Sequence, residues 1–157
     1  MILDSQLQFS ANQAVTADAV GTNVIPLGVA RALGNGEPLA VVFTVSVDAD
    51  QGTGDEDYTF DLEYATNAAQ TTGRQLVGRR IFHSGTPVAP AQNADLLVAG
   101  FSFVMPLPPT SVAEAAAFIG IRYDVTGTTP SITISASLQL QSMIDQTALY
   151  ESGFTIT

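Results

Sequence analysis

The sequence contains no cysteine, no lysine and no tryptophan, and a single histidine, His83. These absences remove most of the groups on which catalysis depends. Enzymes use His, Cys or Lys for proton transfer and nucleophilic attack because those groups can be tuned to titrate near neutrality. One histidine without cysteine also makes no typical zinc site. The expectation is a chain with no enzymatic activity, no cofactor and no metal. Carbohydrate-processing clefts usually expose tryptophan, so its absence argues against a glycosidase, although fifteen acids supply carboxylates enough for a pair. Lack of cysteine leaves the redox compartment open, since 157 residues bury a sizeable core without covalent staples.

Positive charge is scarce too. Five arginines stand against fifteen Asp and Glu, a net charge of −10. Such a surface repels a phosphate backbone and an anionic bilayer alike, so neither nucleic acid nor a membrane is expected as a partner. Apolar runs are short, Leu39-Ala-Val-Val-Phe43 being typical, whereas a spanning helix needs about 18 residues. Residues Met1 to Gln6 lack the basic and apolar regions of a signal peptide, which predicts synthesis in a cytoplasm. Charged residues make up only 13% and the mean hydropathy is +0.25. Either other chains cover part of the surface, or a thick β-core is wrapped in Ala, Ser and Thr.

What the sequence does hold is period-two alternation, the mark of a strand with one buried and one wet face. Leu39 to Val47 alternates, as do Tyr58 to Tyr64, Phe118 to Val125 and Ile132 to Leu140. Weaker strands are expected at Leu3 to Phe9, Leu76 to Phe82 and around Phe101 to Met105. Val24 to Val29 is interrupted by Pro26, which suits a sheet edge. Gly34-Asn35-Gly36 is the strongest turn signal. Ser111-Val-Ala-Glu114 reads as a capping box, predicting one or two helical turns. Seven or eight strands parted by Gly, Pro and Thr turns predict an all-β fold, a jelly-roll or related Greek-key β-sandwich. No break divides the chain: residues 1–157 read as a single domain, with 1–28 as an extended N-terminal arm and edge strand.

Three features bear on function. The acidic run from Asp48 to Asp57 invites a calcium reading, but an EF-hand starting at Asp48 needs acids where Gly52 and Thr59 stand, so a solvated hairpin tip is favoured. Secondly, residues 48–63 hold seven acids and no arginine, whereas 64–94 hold no acid and carry Arg74, Arg79 and Arg80. Those arginines are the candidate partner contacts, docking on a neighbouring copy or an acidic partner, the competing expectation being pairing within the chain. Thirdly, His83-Ser84 is not a hydrolase signature, because no Gly-x-Ser-x-Gly elbow accompanies it. A hydrogen-bonding or pH-sensing histidine at a strand end is expected instead.

The stretch Met1-Ile-Leu-Asp-Ser-Gln-Leu-Gln-Phe-Ser10, followed by Gln13-Ala-Val-Thr16 and Thr22-Asn-Val-Ile-Pro-Leu-Gly28, resembles the N-terminal pattern of a tailed-phage capsid cement (decoration) protein family, of the kind found in a Bordetella podovirus. Phe118-Ile-Gly-Ile-Arg-Tyr-Asp-Val-Thr-Gly127 and the Ile132 to Leu140 strand fit the same pattern. The resemblance covers most of the chain and is thinnest over 48–110. It implies a jelly-roll protein on the outer capsid surface, bridging major capsid protein subunits, often as a homo-oligomer (dimer or trimer). It brings no catalytic residues and no motif-bound contact residues. The alternative is a ligand-binding β-sandwich module, carbohydrate- or receptor-binding, of a phage spike or tail. Tyr58, Tyr64 and the 48–57 loop would be its candidate residues.

Overall fold

The computed structural model describes residues 7–27, 38–86, 90–107, 118–142 and 144. The strands follow from alternation. In the longer strands, side chains apolar at every second position pair into ladders that bury one face; the strands are β1 (Gln8–Val15), β2 (Ala19–Val20), β3 (Ile25–Pro26), β4 (Leu39–Val47), β5 (Asp57–Ala65), β6 (Gln75–His83), β7 (Gln92–Asn93), β8 (Ser102–Leu107), β9 (Phe118–Thr126) and β10 (Ile132–Leu140). β4 and β10 coincide with the alternating runs of the sequence, and β5, β6 and β9 extend the expected ones by a residue or so. The chain is all-β, as expected. The Ser111 capping box and the Gly34-Asn35-Gly36 turn lie outside the described residues.

Two sheets form the sandwich. One runs β1-β10-β4-β8; the other runs β2-β9-β5-β6-β7, with β3 also paired to β9. Successive strands mostly cross from one sheet to the other, and all pairs are antiparallel except β6 with β7. This order is consistent with the double Greek key of a jelly roll. The N-terminal stretch is largely built into the sandwich: residues 8–27 supply edge strands β1 to β3, and Pro26 sits in β3, paired on one side only. Of the stretch 1–28 expected as arm and edge strand, residues 1–6 and 28 lie outside the described residues.

The core is aromatic at its centre. Phe43 of β4 and Phe103 of β8 stack at 4.7 Å, and Phe60 of β5 meets Phe43, Phe82, Phe103 and Tyr123 edge to face at 5.2–5.9 Å. Edge-to-face contact sets the positive ring rim against a neighbour's negative face, so it adds direction to burial. Tyr123 reaches Ser10 through its buried hydroxyl at 2.8 Å, tying the second sheet to β1; burial pushes that hydroxyl's pKa up.

One end of the sandwich gathers the acidic 48–57 loop, the Ser84-Gly85 turn, residues 94–100 and the β9–β10 turn. Tyr58 fastens this end by donating to the Asp50 carbonyl at 2.6 Å while its oxygen accepts from the Ser131 amide at 3.2 Å. Glu56 lies fully buried there. Its carboxylate accepts from the Ser84 and Thr53 hydroxyls and from the Gly54 and Asp55 amides. Those hydroxyls, Ser84 first, hold its pKa at about 2, below the ordinary 4.5. A lowered carboxylate pKa stabilises the fold above the unfolded-state pKa and loses that effect as pH falls through the folded-state value. Wild-type melting temperature is thus expected to drop steeply between about pH 4.5 and 2, with a shallower drop in Glu56→Gln. Parallel curves for the two proteins in thermal melts across that range would exclude this role.

Candidate interaction surface

The outward positions of β5 carry Asp61 and Glu63, because Phe60, Leu62 and Tyr64 take the inward ones. Register then places Asp61 between Arg79 of β6 and Arg122 of β9. Arg79 grips Asp61 with both ends of its fork, Nε at 2.7 Å and Nη2 at 2.6 Å. Arg74 does the same to Glu63 at 3.0 and 2.5 Å, and Arg122 approaches Glu63 at 3.4 Å. Both carboxylates are almost wholly buried although they stand on the outer face of the sheet. The cover comes from the arginines and from the β5–β6 loop, whose Gln70 folds down over Gly120 while its carbonyl accepts from Arg122 at 2.8 Å. A Cβ at position 120 would collide with the Gln70 side-chain amide, so any other residue there would push that amide aside. Nearby Asp124 has its pKa raised, by burial first and then by the like charge of Asp61.

The three candidate arginines thus separate. Arg74 and Arg79 pair within the chain, because the acidic and basic segments occupy adjacent strands. Removing Arg79 leaves the buried Asp61 without its ion pair, and removing Arg74 leaves the buried Glu63 with only the longer Arg122 contact, structural penalties that a binding assay would misread. Arg80 is different. It is exposed, and among the described residues it is the arginine without an ion pair. It lines, with Arg79, Ile81, Pro90 and Gln92, a cavity of about 320 Å³ beside β6. Sequence reasoning passed over Arg122 and Gln70. Alternation in β9 marked Arg122 as outward, but only register shows which acid it meets, and nothing in the sequence marks Gln70.

The acidic loop is bound up with its neighbours. Asp48 accepts from the Ala99 amide at 2.6 Å, Asp50 from the Gly52 amide at 3.0 Å, and Asp55 from the Thr128 amide and hydroxyl at 3.1 and 3.0 Å. These carboxylates cap turns, as a loop tip requires, and among the described residues no group of three metal-ligating side chains converges. His83 ends β6, and its Nδ1 lies 2.7 Å from the Asp57 carboxylate, a hydrogen-bonded histidine at a strand end. Exposed large apolar side chains are Val47, Leu76, Leu96 and Val98 among the described residues.

No curated protein matches the sequence. A family model, Bbp16, does match, over residues 9–138, from the start of β1 to near the end of β10. The match takes in both sheets and every strand, so the resemblance read from the two ends of the sequence extends across the fold. The chain belongs to the Bbp16 family, a family of Bordetella phage proteins.

Proposed function

We propose that this phage structural protein cements the head from outside, binding the major capsid protein and linking neighbouring subunits of the shell. Family membership over residues 9–138 is the observation that carries this reading. The physical chemistry supports it. Cementing asks for a stiff body with several modest contacts, whose strength is multiplied across a lattice rather than concentrated at one site. A sandwich with an aromatic core and tied loops supplies stiffness. The function proposed is binding without chemistry, on the virion's outer capsid surface, with the chain acting as a homo-oligomer.

The test is co-sedimentation of the purified protein with phage heads that lack it, titrated to saturation. Binding is expected to saturate at a fixed ratio to the major capsid subunit and to raise the temperature at which the heads release DNA. A folded protein that stays in the supernatant at all concentrations would overturn the reading and favour a ligand-binding module of the spike or tail.

A further inference from the structure

β6 is paired fully on one side only. β5 lies along it from Gln75 to His83, but its other side meets just β7, a two-residue parallel stub opposite Phe82 and His83. Positions 75–81 therefore present a backbone edge with no strand beside it among the described residues. The amides and carbonyls of such an edge are a template for an incoming extended peptide. Where a strand would run back alongside β6 from Gln92, Pro90 stands instead, lacking an amide hydrogen for a ladder. The 320 Å³ cavity is lined from both sides of that gap, by Pro90 and Gln92 and by Arg79, Arg80 and Ile81.

Charge says which strand fits. Arg80 lies on this edge with its guanidinium unpaired, while Arg74, Arg79 and Arg122 each hold a carboxylate. A cation at a ladder edge favours an acid opposite and disfavours a like charge. Pairing β6 with β6 of a second copy about residues 79–80 would set Arg80 near a second arginine and leave it without a carboxylate. The acidic loop of a second copy fits no better, because Asp48, Asp55 and Glu56 hold it to residues 99, 128 and 84, and drawing it out as a strand forfeits those bonds. Leu76, 53% exposed near the start of the same edge, offers apolar contact to whatever lies there.

We propose that the β6 edge over residues 75–81 receives an extended, carboxylate-bearing segment of the capsid shell subunit as an added strand, with a carboxylate of that segment on Arg80. The proposal rests on the cementing reading and names the surface and the partner chemistry through which it acts.

The absence of cysteine allows a direct test. A Gln92→Cys variant, labelled at its only thiol with a maleimide photo-crosslinker, is bound to heads that lack the protein, irradiated and mapped by mass spectrometry. Crosslinks to an acidic stretch of the major capsid subunit are expected. Arg80→Glu is expected to weaken head binding at least tenfold with an unchanged melting temperature. Crosslinks only between copies of this chain would overturn the choice of partner. Saturable binding with no crosslink, and wild-type affinity in Arg80→Glu, would overturn the edge while leaving cementing intact. Failure of the wild-type protein to bind heads would instead remove the cementing reading, and this proposal with it.

Discussion

Phe60→Ala is expected to destabilise the protein by about 3–5 kcal/mol, as for deletion of a large buried aromatic. Phe60 is the ring at which the two sheets meet: its edge-to-face neighbours are Phe43 and Phe103 from one sheet and Phe82 and Tyr123 from its own. Truncation to a methyl group leaves a cavity bordered by four rings that are themselves interlocked, so collapse is hindered and the cost stays near the top of the range. Phe60→Leu keeps more of the volume and is expected to lose roughly half as much. Chemical denaturation measures both. A loss below about 1.5 kcal/mol for the alanine variant would mean that the core repacks freely, contrary to the interlocking described.

Gly127→Ala is the second change expected to be severe. Gly127 opens the β9–β10 turn at φ +108°, a region that L side chains avoid, and an added Cβ would lie 2.6 Å from the Asp55 carbonyl oxygen and 2.7 Å from the Glu56 Cα. The strained backbone alone costs about 1–3 kcal/mol, and overpacking against main chain that cannot swing aside adds about as much again. Gly54 supplies the control. Its φ is +72°, but nothing lies within 4 Å of the Cβ it would gain, so Gly54→Ala carries the backbone term alone. Denaturation midpoints of the two variants should therefore differ clearly, Gly127→Ala being the lower. Equal midpoints would show that the 48–57 loop yields to the new methyl group.

The fold was largely legible because a half-buried strand writes its burial directly into alternate residues. Ile132 to Leu140 and Leu39 to Val47 could be bounded to the residue for that reason. β1 was harder. Its register shifts between Gln8 and Gln13, and Asn12 adopts φ +47°, so the bulge breaks the period before Val15 is reached. β2, β3 and β7 are two residues each, too short to carry a period. The candidate surface was legible in composition and not in pairing. The sequence contrast between residues 48–63 and Arg74 to Arg80 was real, but which arginine is satisfied depends on register between β5 and β6, including the shift at Leu62 and Glu63. Register is set by turn geometry and core packing together, so Arg79 and Arg80, adjacent in sequence, point to opposite fates.

The position of β10 between β1 and β4 has a consequence for synthesis. A growing chain that has reached Val47 has made both flanking strands of that trio, yet the strand that joins them is 85 positions further on, beginning at Ile132. Until β10 emerges, β1 and β4 keep unsatisfied edges, and the first sheet has no continuous ladder. Order of this kind, where distant segments must meet, slows folding because loop closure is costly before any contact rewards it. The sandwich therefore closes late on the ribosome, and a chain cut short within β9 leaves translation with its first sheet open to other chains.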